Sequence, residues 1–327
     1  MKSDKILLAN KANLLLAFSV LGALLILPFF IESFYASLLS MAYIYIIAAI
    51  GVNILTGYTG LVTVGHGGFF AIGAYTSALM GQYLGTSLLP GLFAGGITAG
   101  IVGFLLGFIF LRLAGAFLAI GTLGFAFAIG SIINNWPVFE GREGITLAPN
   151  NIFGFEFGDV GFYYVCLITG ALIFLFAWSI IRSAIGRAFM AVRDSERASE
   201  ASGINLRLYK TLSFAISAAF TGVAGVLFAH HTNYVSSETF ADIWISVDFL
   251  VAVVVGGQAS LAGSVLGGAF VVLLPYYLSE LRDFASILKG VVLILVLLFA
   301  PAGLASIFQK FFQKTVFRVF PVKLDER

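Results

Sequence analysis

Long apolar runs follow one another along nearly the whole chain, separated by short polar intervals, and restrict its fold more than any motif in it. Candidate spans run near 12–31, 36–56, 63–84, 90–111, 115–134, 161–181, 211–231, 247–257, 262–280 and 289–308. A helix needs about 20 apolar residues to cross a bilayer, because inside it every backbone group must be satisfied without water. The segment 247–257 is too short to cross unaided. Composition agrees: 60% of residues are hydrophobic and 10% charged, against about 25% charged in a soluble domain, and mean hydropathy is +1.03. The expected fold is an all-α polytopic membrane protein, one transmembrane domain over 1–327 with about ten helices, some of them short or broken.

The distribution of lysine and arginine orients the spans. Residues 1–11 carry Lys2, Lys5 and Lys11, Arg112 falls between the fourth and fifth spans, 182–210 holds six basic residues, and 309–327 holds Lys310, Lys314, Arg318, Lys323 and Arg327. An alternating thread places all four inside, so both termini and the 182–210 loop are expected in the cytoplasm of a cell whose inner membrane carries the chain. The opposite loops are acidic. In 135–160, Arg142 stands against Glu140, Glu143, Glu156 and Asp159, and 232–246 has Glu238 and Asp242 without lysine or arginine. No small-x-small cleavage site follows the first apolar run, which therefore reads as an uncleaved span. The net charge of +2 is too small to suggest nucleic acid as a partner. The single Cys166 excludes an internal disulfide, and His230 and His231 lack a third ligand, so no metal site is expected.

Gly96, Gly100, Gly103 and Gly107 share a helical spacing with Ala218, Gly222, Gly225 and Ala229 in a later span. Such stripes let helix backbones approach closely where no hydrophobic effect drives them together. Two further glycine groups break their helices in roughly corresponding places of the two halves: Gly57-Tyr58-Thr59-Gly60 to Gly65-His66-Gly67-Gly68, and Gly256-Gly257-Gln258-Ala259-Ser260 to Gly263. Interrupted apolar segments occurring once per half point to a transport pathway, although tight packing explains them equally. Candidate pathway residues are Asn53, Thr56, Gly65, His66, Gly256, Gly257, Gln258 and Ser260, with Thr63 beside them. Each polar one also suits a plain interhelical hydrogen bond.

The deepest acidic residue, Asp248, is read as opening its segment near the outer edge, so no relay carboxylate drives an ion couple. A G-x-x-x-x-G-K-[ST] phosphate loop is absent from the sequence. The chain is therefore read as no enzyme and as holding no cofactor; if it pumps, another protein supplies the energy. The polar stretch 182–210 is where such a partner could dock. Asp194 or Ser195 can cap a short helix there and Gly203 can end it. Ala198, Ala201 and Ser202 give that helix a small-residue surface, ringed by Arg193, Glu196, Arg197 and Glu200. A solvated loop whose arginines merely set topology is the plainer reading.

The residues themselves resemble a known family, the membrane permeases of ATP-binding-cassette importers for branched-chain amino acids, whose relatives include urea and short-amide permeases. The likeness covers about Asn53 to Leu304. It is densest over Gly186-Arg187-Ala188, Arg193, Glu196, Ala198, Gly203-Ile204-Asn205, Lys210, Phe214, Ser217-Ala218, Gly222, Ala224-Gly225, Val235-Ser236, Glu238 and Phe240. Gly57-Tyr58-Thr59-Gly60, Gly65-His66, Thr122-Leu123-Gly124-Phe125, Asn134-Asn135-Trp136 and Gly303-Leu304 also match. The resemblance implies a second, homologous permease subunit, two cytoplasmic ATPase subunits that bind the ATP, an extracytoplasmic substrate-binding protein, and membrane lipid around them. It assigns Arg187, Arg193, Asp194, Glu196, Arg197, Glu200, Gly203 and Asn205 to an ATPase-coupling helix. The implied cargo is a small amino acid, branched-chain foremost, with urea or a short amide as the alternative. A stand-alone channel or secondary transporter is the rival from another class. Two departures bear on the cargo. Gly256-Gly257-Gln258-Ala259-Ser260 replaces a Gly-Gly-x-Gly-Ser run, which stiffens the turn, and Phe139-Glu140-Gly141-Arg142-Glu143-Gly144 replaces a small polar loop with a charged one.

Overall fold

The computed structural model describes residues 22–278 other than 111, 112, 114, 142, 149, 150, 153, 154 and 242, together with 290, 291, 294, 298 and 303–306. The tails 1–11 and 309–327 lie outside the described residues, as do most of the spans expected over 12–31 and 289–308. Between them the apolar runs become helices: α1 Ser33–Asn53, α2 His66–Leu84, α3 Leu88–Phe110, α4 Ala116–Asn135, α5 Asp159–Arg182, α6 Ala184–Asp194, α7 Glu196–Ala201, α8 Leu206–Thr232, α9 Ser237–Ala241, α10 Ile243–Gly256 and α11 Leu261–Leu278. Among the described residues, six segments are long and apolar enough to cross a membrane: Ser33–Tyr58, which extends α1, together with α3, α4, α5, α8 and α11. The chain is a multi-pass membrane protein.

Helix ends follow local chemistry rather than hydropathy. α8 starts at Leu206, several residues inside the stretch that charge marks as loop, because the Asn205 carboxamide accepts the Leu208 N–H at 3.1 Å. α4 ends at Asn135, shortly before Pro137, which cannot continue it. α10 is 14 residues long, consistent with a segment that does not cross alone.

The bundle has two distinct ends. At one, α6 and α7 connect α5 to α8. At the other, β1 (Ile145–Thr146), β2 (Asn151–Ile152) and β3 (Phe155–Glu156) lie in the loop between α4 and α5, and β4 (Tyr234–Val235) follows α8. β1 pairs antiparallel with β4, and β2 with β3. The first pairing ties together the two acidic loops.

α1 and α8 are the buried centre, whereas α3, α4, α5 and α11 show most of their surface outward. The two small-residue stripes explain how α8 is seated. Gly96, Gly100, Gly103 and Gly107 of α3 face Val223, Ala219, Ala218 and Phe214 of α8. The α8 stripe divides between two neighbours: Ala218 and Gly222 meet α3, while Gly225 lies against the Phe70 carbonyl of α2. On α2, Gly73 lies against the Gly222 carbonyl. Backbone thus touches backbone at the crossing of α2, α3 and α8, and dispersion and weak polar contacts replace the absent hydrophobic drive.

A side chain at either contact must push backbone aside. Gly73→Leu and Gly225→Leu should each destabilise the purified protein by about 1–3 kcal/mol and lower its melting temperature in detergent. Gly124→Ala, a helical glycine with open space around it, should leave it unchanged.

Candidate functional site

Both glycine-rich breaks occur, and they meet. α1 runs on beyond Asn53 into one π-helical turn, Ile54–Tyr58, and the chain then has no helix until His66. Threonine hydroxyls serve the backbone groups of this irregular stretch. Thr59 Oγ1 donates to the Ile54 carbonyl at 2.9 Å and Thr56 Oγ1 to the Leu61 carbonyl at 3.2 Å. Hydroxyl donors of this kind are what an interrupted helix requires inside a membrane.

The second break, 257–260, separates α10 from α11. Ser260 caps α11 by accepting the Gly263 N–H on Oγ at 3.0 Å. Gly257 has φ +122° and Ala259 φ +54°. Ala259 thus occupies the left-handed region, where a β-carbon costs about 1–2 kcal/mol. This is the physical content of the departure noted in the sequence: a position suited to glycine is filled by alanine.

Asn53 joins the two breaks. Fully buried, it donates from Nδ2 to the Ser260 carbonyl (2.9 Å) and to Ser264 Oγ (2.8 Å), and accepts the Ala259 N–H on Oδ1 (2.9 Å). Its Oδ1 also occupies the space that a methyl group on Gly57 would need. The bond to the Ala259 N–H and its neighbour to the Ser260 carbonyl together hold the strained turn in place.

His66 anchors the start of α2. Ser217 Oγ donates its one proton to the Gly51 carbonyl at 2.7 Å, so the 2.6 Å contact between Ser217 Oγ and His66 Nε2 makes the imidazole the donor. His66 Nδ1 is then the acceptor nitrogen, buried without a partner. The Val64 N–H donates to Thr122 Oγ1 at 3.2 Å, and the Gly67 N–H to Ser246 Oγ of α10 at 2.8 Å. Asp248 lies two residues further along α10 and is half-buried, inside the helix and not at its start, because α10 begins at Ile243.

Among the pathway candidates, Asn53, Thr56, Gly65, His66, Gly256 and Gly257 are buried struts, Ser260 is half-buried, and Gln258 is exposed. Ser217, Ser246 and Ser264 complete the cluster. Ser246 and Ser264 belong to no motif in the sequence, although a serine inside an apolar helix beside a broken partner is itself a signal.

The polar stretch 182–210 is no single loop. Ser183 Oγ caps α6 by accepting the Ile185 N–H at 3.1 Å, and α6 buries Gly186, Ala188, Phe189 and Val192. Ser195 caps α7 by accepting the Ala198 N–H at 3.3 Å, while Asp194 ends α6. Gly203, at φ +83°, follows in the left-handed conformation expected of it. Ala198, Ala201 and Ser202 are exposed, with Asp194, Arg197 and Glu200. Glu196 turns back to Lys210, Oε2 to Nζ at 2.6 Å. Arg187 Nη1 donates to the Arg182 carbonyl at 3.3 Å. Arg193 Nη1 reaches the π turn, donating to the Gly57 carbonyl at 2.9 Å, and its stem packs on Gly60.

Helices interrupted within the bundle, their freed backbone groups tied to one another and to a connector at one end, are the architecture of a multi-pass transport protein. Residues 34–301 match the family described as branched-chain amino acid transport system / permease component. The chain is 34% identical over 316 residues to the high-affinity branched-chain amino acid transport system permease protein LivM of Escherichia coli (strain K12), with 87% of this chain and 74% of that protein covered. It is 26% identical over 313 residues to the probable branched-chain amino acid transport permease protein LivM of Methanocaldococcus jannaschii, covering 80% and 90%. It is also 25% identical over 300 residues to the autoinducer 2 import system permease protein LsrC of Escherichia coli O9:H4, covering 84% and 83%. No solved structure matches it significantly. The chain belongs to the branched-chain amino acid transport permease family.

Two substitutions test the clamp. Asn53→Ala strands the Ala259 N–H and the Ser260 carbonyl together. Single polar contacts in membrane proteins average about 0.6 kcal/mol, but three are lost at once, so a loss of about 2 kcal/mol is expected in thermal melts of the purified protein. Ala259→Gly removes the left-handed penalty and adds unfolded-state entropy, for a net gain of about 0.5–1 kcal/mol in the same assay.

Proposed function

We propose that this chain is one permease subunit of an importer whose ATP is bound and hydrolysed by partner subunits, and that its cargo is a small amino acid of the branched-chain type. The partners are a second, homologous permease, two cytoplasmic ATPases and an extracytoplasmic substrate-binding protein. In this arrangement the α6–α7 end and both termini face the cytoplasm, and the β1–β4 end faces outward. The chain has no ATPase site or cofactor of its own.

The Arg193 contact carries the reading. α7 offers an outward surface of Ala198, Ala201 and Ser202 flanked by Arg197 and Glu200, flat enough to sit in a cleft of a cytoplasmic protein. Two residues before its cap, Arg193 grips the Gly57 carbonyl in the π turn. Four residues back along the chain, Asn53 holds the second break. A displacement of α6 and α7 therefore reaches Gln258, the exposed amide of that second break, through hydrogen bonds and one helical turn. Amino-acid cargo is supported by the names of the LivM proteins of Escherichia coli and Methanocaldococcus jannaschii. Import as the direction is supported by the name of the autoinducer 2 relative.

The assembled transporter in proteoliposomes tests the coupling. Arg193→Gln should leave the ATPases bound and hydrolysing, yet lower leucine uptake roughly tenfold or more, the scale of a coupling free energy of about 1–3 kcal/mol. Glu200→Lys, on the outward face, should instead weaken ATPase binding in co-purification. Full uptake with both substitutions in place would refute the coupling role, and uptake by the permease without ATPases would mark it as a channel.

A further inference from the structure

Two motifs that the coupling reading leaves unused, Asn134-Asn135 at the end of α4 and Ser237-Glu238 at the start of α9, lie about 100 residues apart in sequence and form one cleft. Its volume is about 250 Å³, just under the range of roughly 300–1,000 Å³ typical of drug-sized ligands, and so suited to something smaller. Phe127 forms its apolar wall, and Ser131, Asn134, Asn135, Ser237 and Glu238 supply its polar groups.

The cleft is built on fixed elements. Phe240 anchors the five-residue α9: it is buried and packs on Phe70, Tyr75 and Phe228, with ring centroids 5.9, 5.8 and 6.0 Å away. The Ser237 N–H donates to the Gly141 carbonyl at 3.3 Å, and Ser237 Oγ donates to Asn134 Oδ1 at 3.1 Å. That bond orients the Asn134 carboxamide, whose Nδ2 donors meet no acceptor among the described residues. Asn135 Nδ2 gives one donor to the Ser131 carbonyl at 2.7 Å and keeps its second. Glu238 is exposed and has no ion pair among the described residues.

A carboxylate from α9 facing amide donors and an aromatic side chain from α4 selects a particular solute. An anion is repelled by Glu238, and an apolar solute leaves the polar groups unanswered. A molecule with an ammonium group, a carboxylate and an aliphatic side chain answers all three. We infer that the cleft between α4 and α9 is a docking subsite for a zwitterionic amino acid, with Glu238 pairing to its ammonium group and Asn134 Nδ2 donating to its carboxylate. The inference rests on the amino-acid cargo proposed above and gives that cargo a first station at the outward end.

The test uses the assembled transporter in proteoliposomes without binding protein. Ser131→Cys places a thiol in the cleft, the native Cys166 being buried, and its labelling by a membrane-impermeant maleimide is timed. L-Leucine at about ten times its dissociation constant should slow labelling about tenfold, because only the unoccupied fraction reacts. Isoamylamine and isocaproate, each lacking one charged group, should protect far less. Protection should vanish in Glu238→Gln and in Asn134→Asp, which keeps an acceptor for Ser237 and loses the donor. Leucine uptake with binding protein and ATP is measured on the same Ser131→Cys vesicles. Normal uptake without protection, or protection that survives Glu238→Gln, overturns the subsite and leaves the transport function standing. Protection without uptake overturns the importer reading and supports the subsite.

Discussion

Breaking a helix inside a hydrocarbon layer frees amides and carbonyls that water cannot reach, and in this chain the Asn53 carboxamide answers much of that demand. It closes one break with the groups of the other, so that neither needs a water-filled cavity of its own. The Asn53 bonds hold Ala259 in a backbone conformation that its β-carbon disfavours. Replacing the clamp by an apolar side chain of equal size would preserve the packing volume and lose the pairing, which is why a buried amide stands in so apolar a position. The rest of the site is arranged around this junction: His66 and Ser217 fix where α2 resumes, Ser246 takes the Gly67 amide, and Arg193 holds the far side of the π turn.

Around this polar junction the bundle is assembled mainly by close contact, with a few side-chain hydrogen bonds such as Thr76 to Thr98 and Ser77 to His230. α8 is its axis, pressed against α3 along facing small residues and against α2 through glycine and carbonyl. Such close seating leaves little freedom for α8 to move relative to α2 and α3. The connector of α6 and α7 is different in kind. Its buried face is one side of a single short helix, and its tie to the junction is a hydrogen bond to one carbonyl, supported by the stem of Arg193. The stiff and the yielding parts of the molecule are thus separated in space, with Arg193 at the boundary.

How far the sequence foretold this depends on the kind of signal. Apolar runs and charge bias were enough for the class and for most helices, since both follow from the solvent that surrounds the chain. The π turn and the late start of α2 at His66 were visible only as glycine-rich text. Helix ends shifted wherever a capping side chain acted, as at Asn205. Pairing between distant polar residues was out of reach: Asn53 and His66 stood out as polar groups in spans, but nothing in the order of residues says that one binds 259–264 and the other Ser217. Glu196 and Arg193 stood in a polar stretch and were grouped with its outward surface, whereas both turn back into the fold, toward Lys210 and Gly57. Asp248 lies inside α10 and not at its start, because the helix begins before the apolar run does.

The π turn at Ile54–Tyr58 has a consequence for anyone aligning this chain with its relatives. A π turn holds one residue more than a regular helix would, so residues beyond it are rotated by about 100° and shifted by about 1.5 Å from where an uninterrupted α1 would set them. Gly51, before the turn, receives Ser217, and Gly57, within it, receives Arg193. The number of residues between these two glycines is therefore a fixed dimension of the fold. A single gap opened there would compare residues that face different helices, even where every letter on both sides matched.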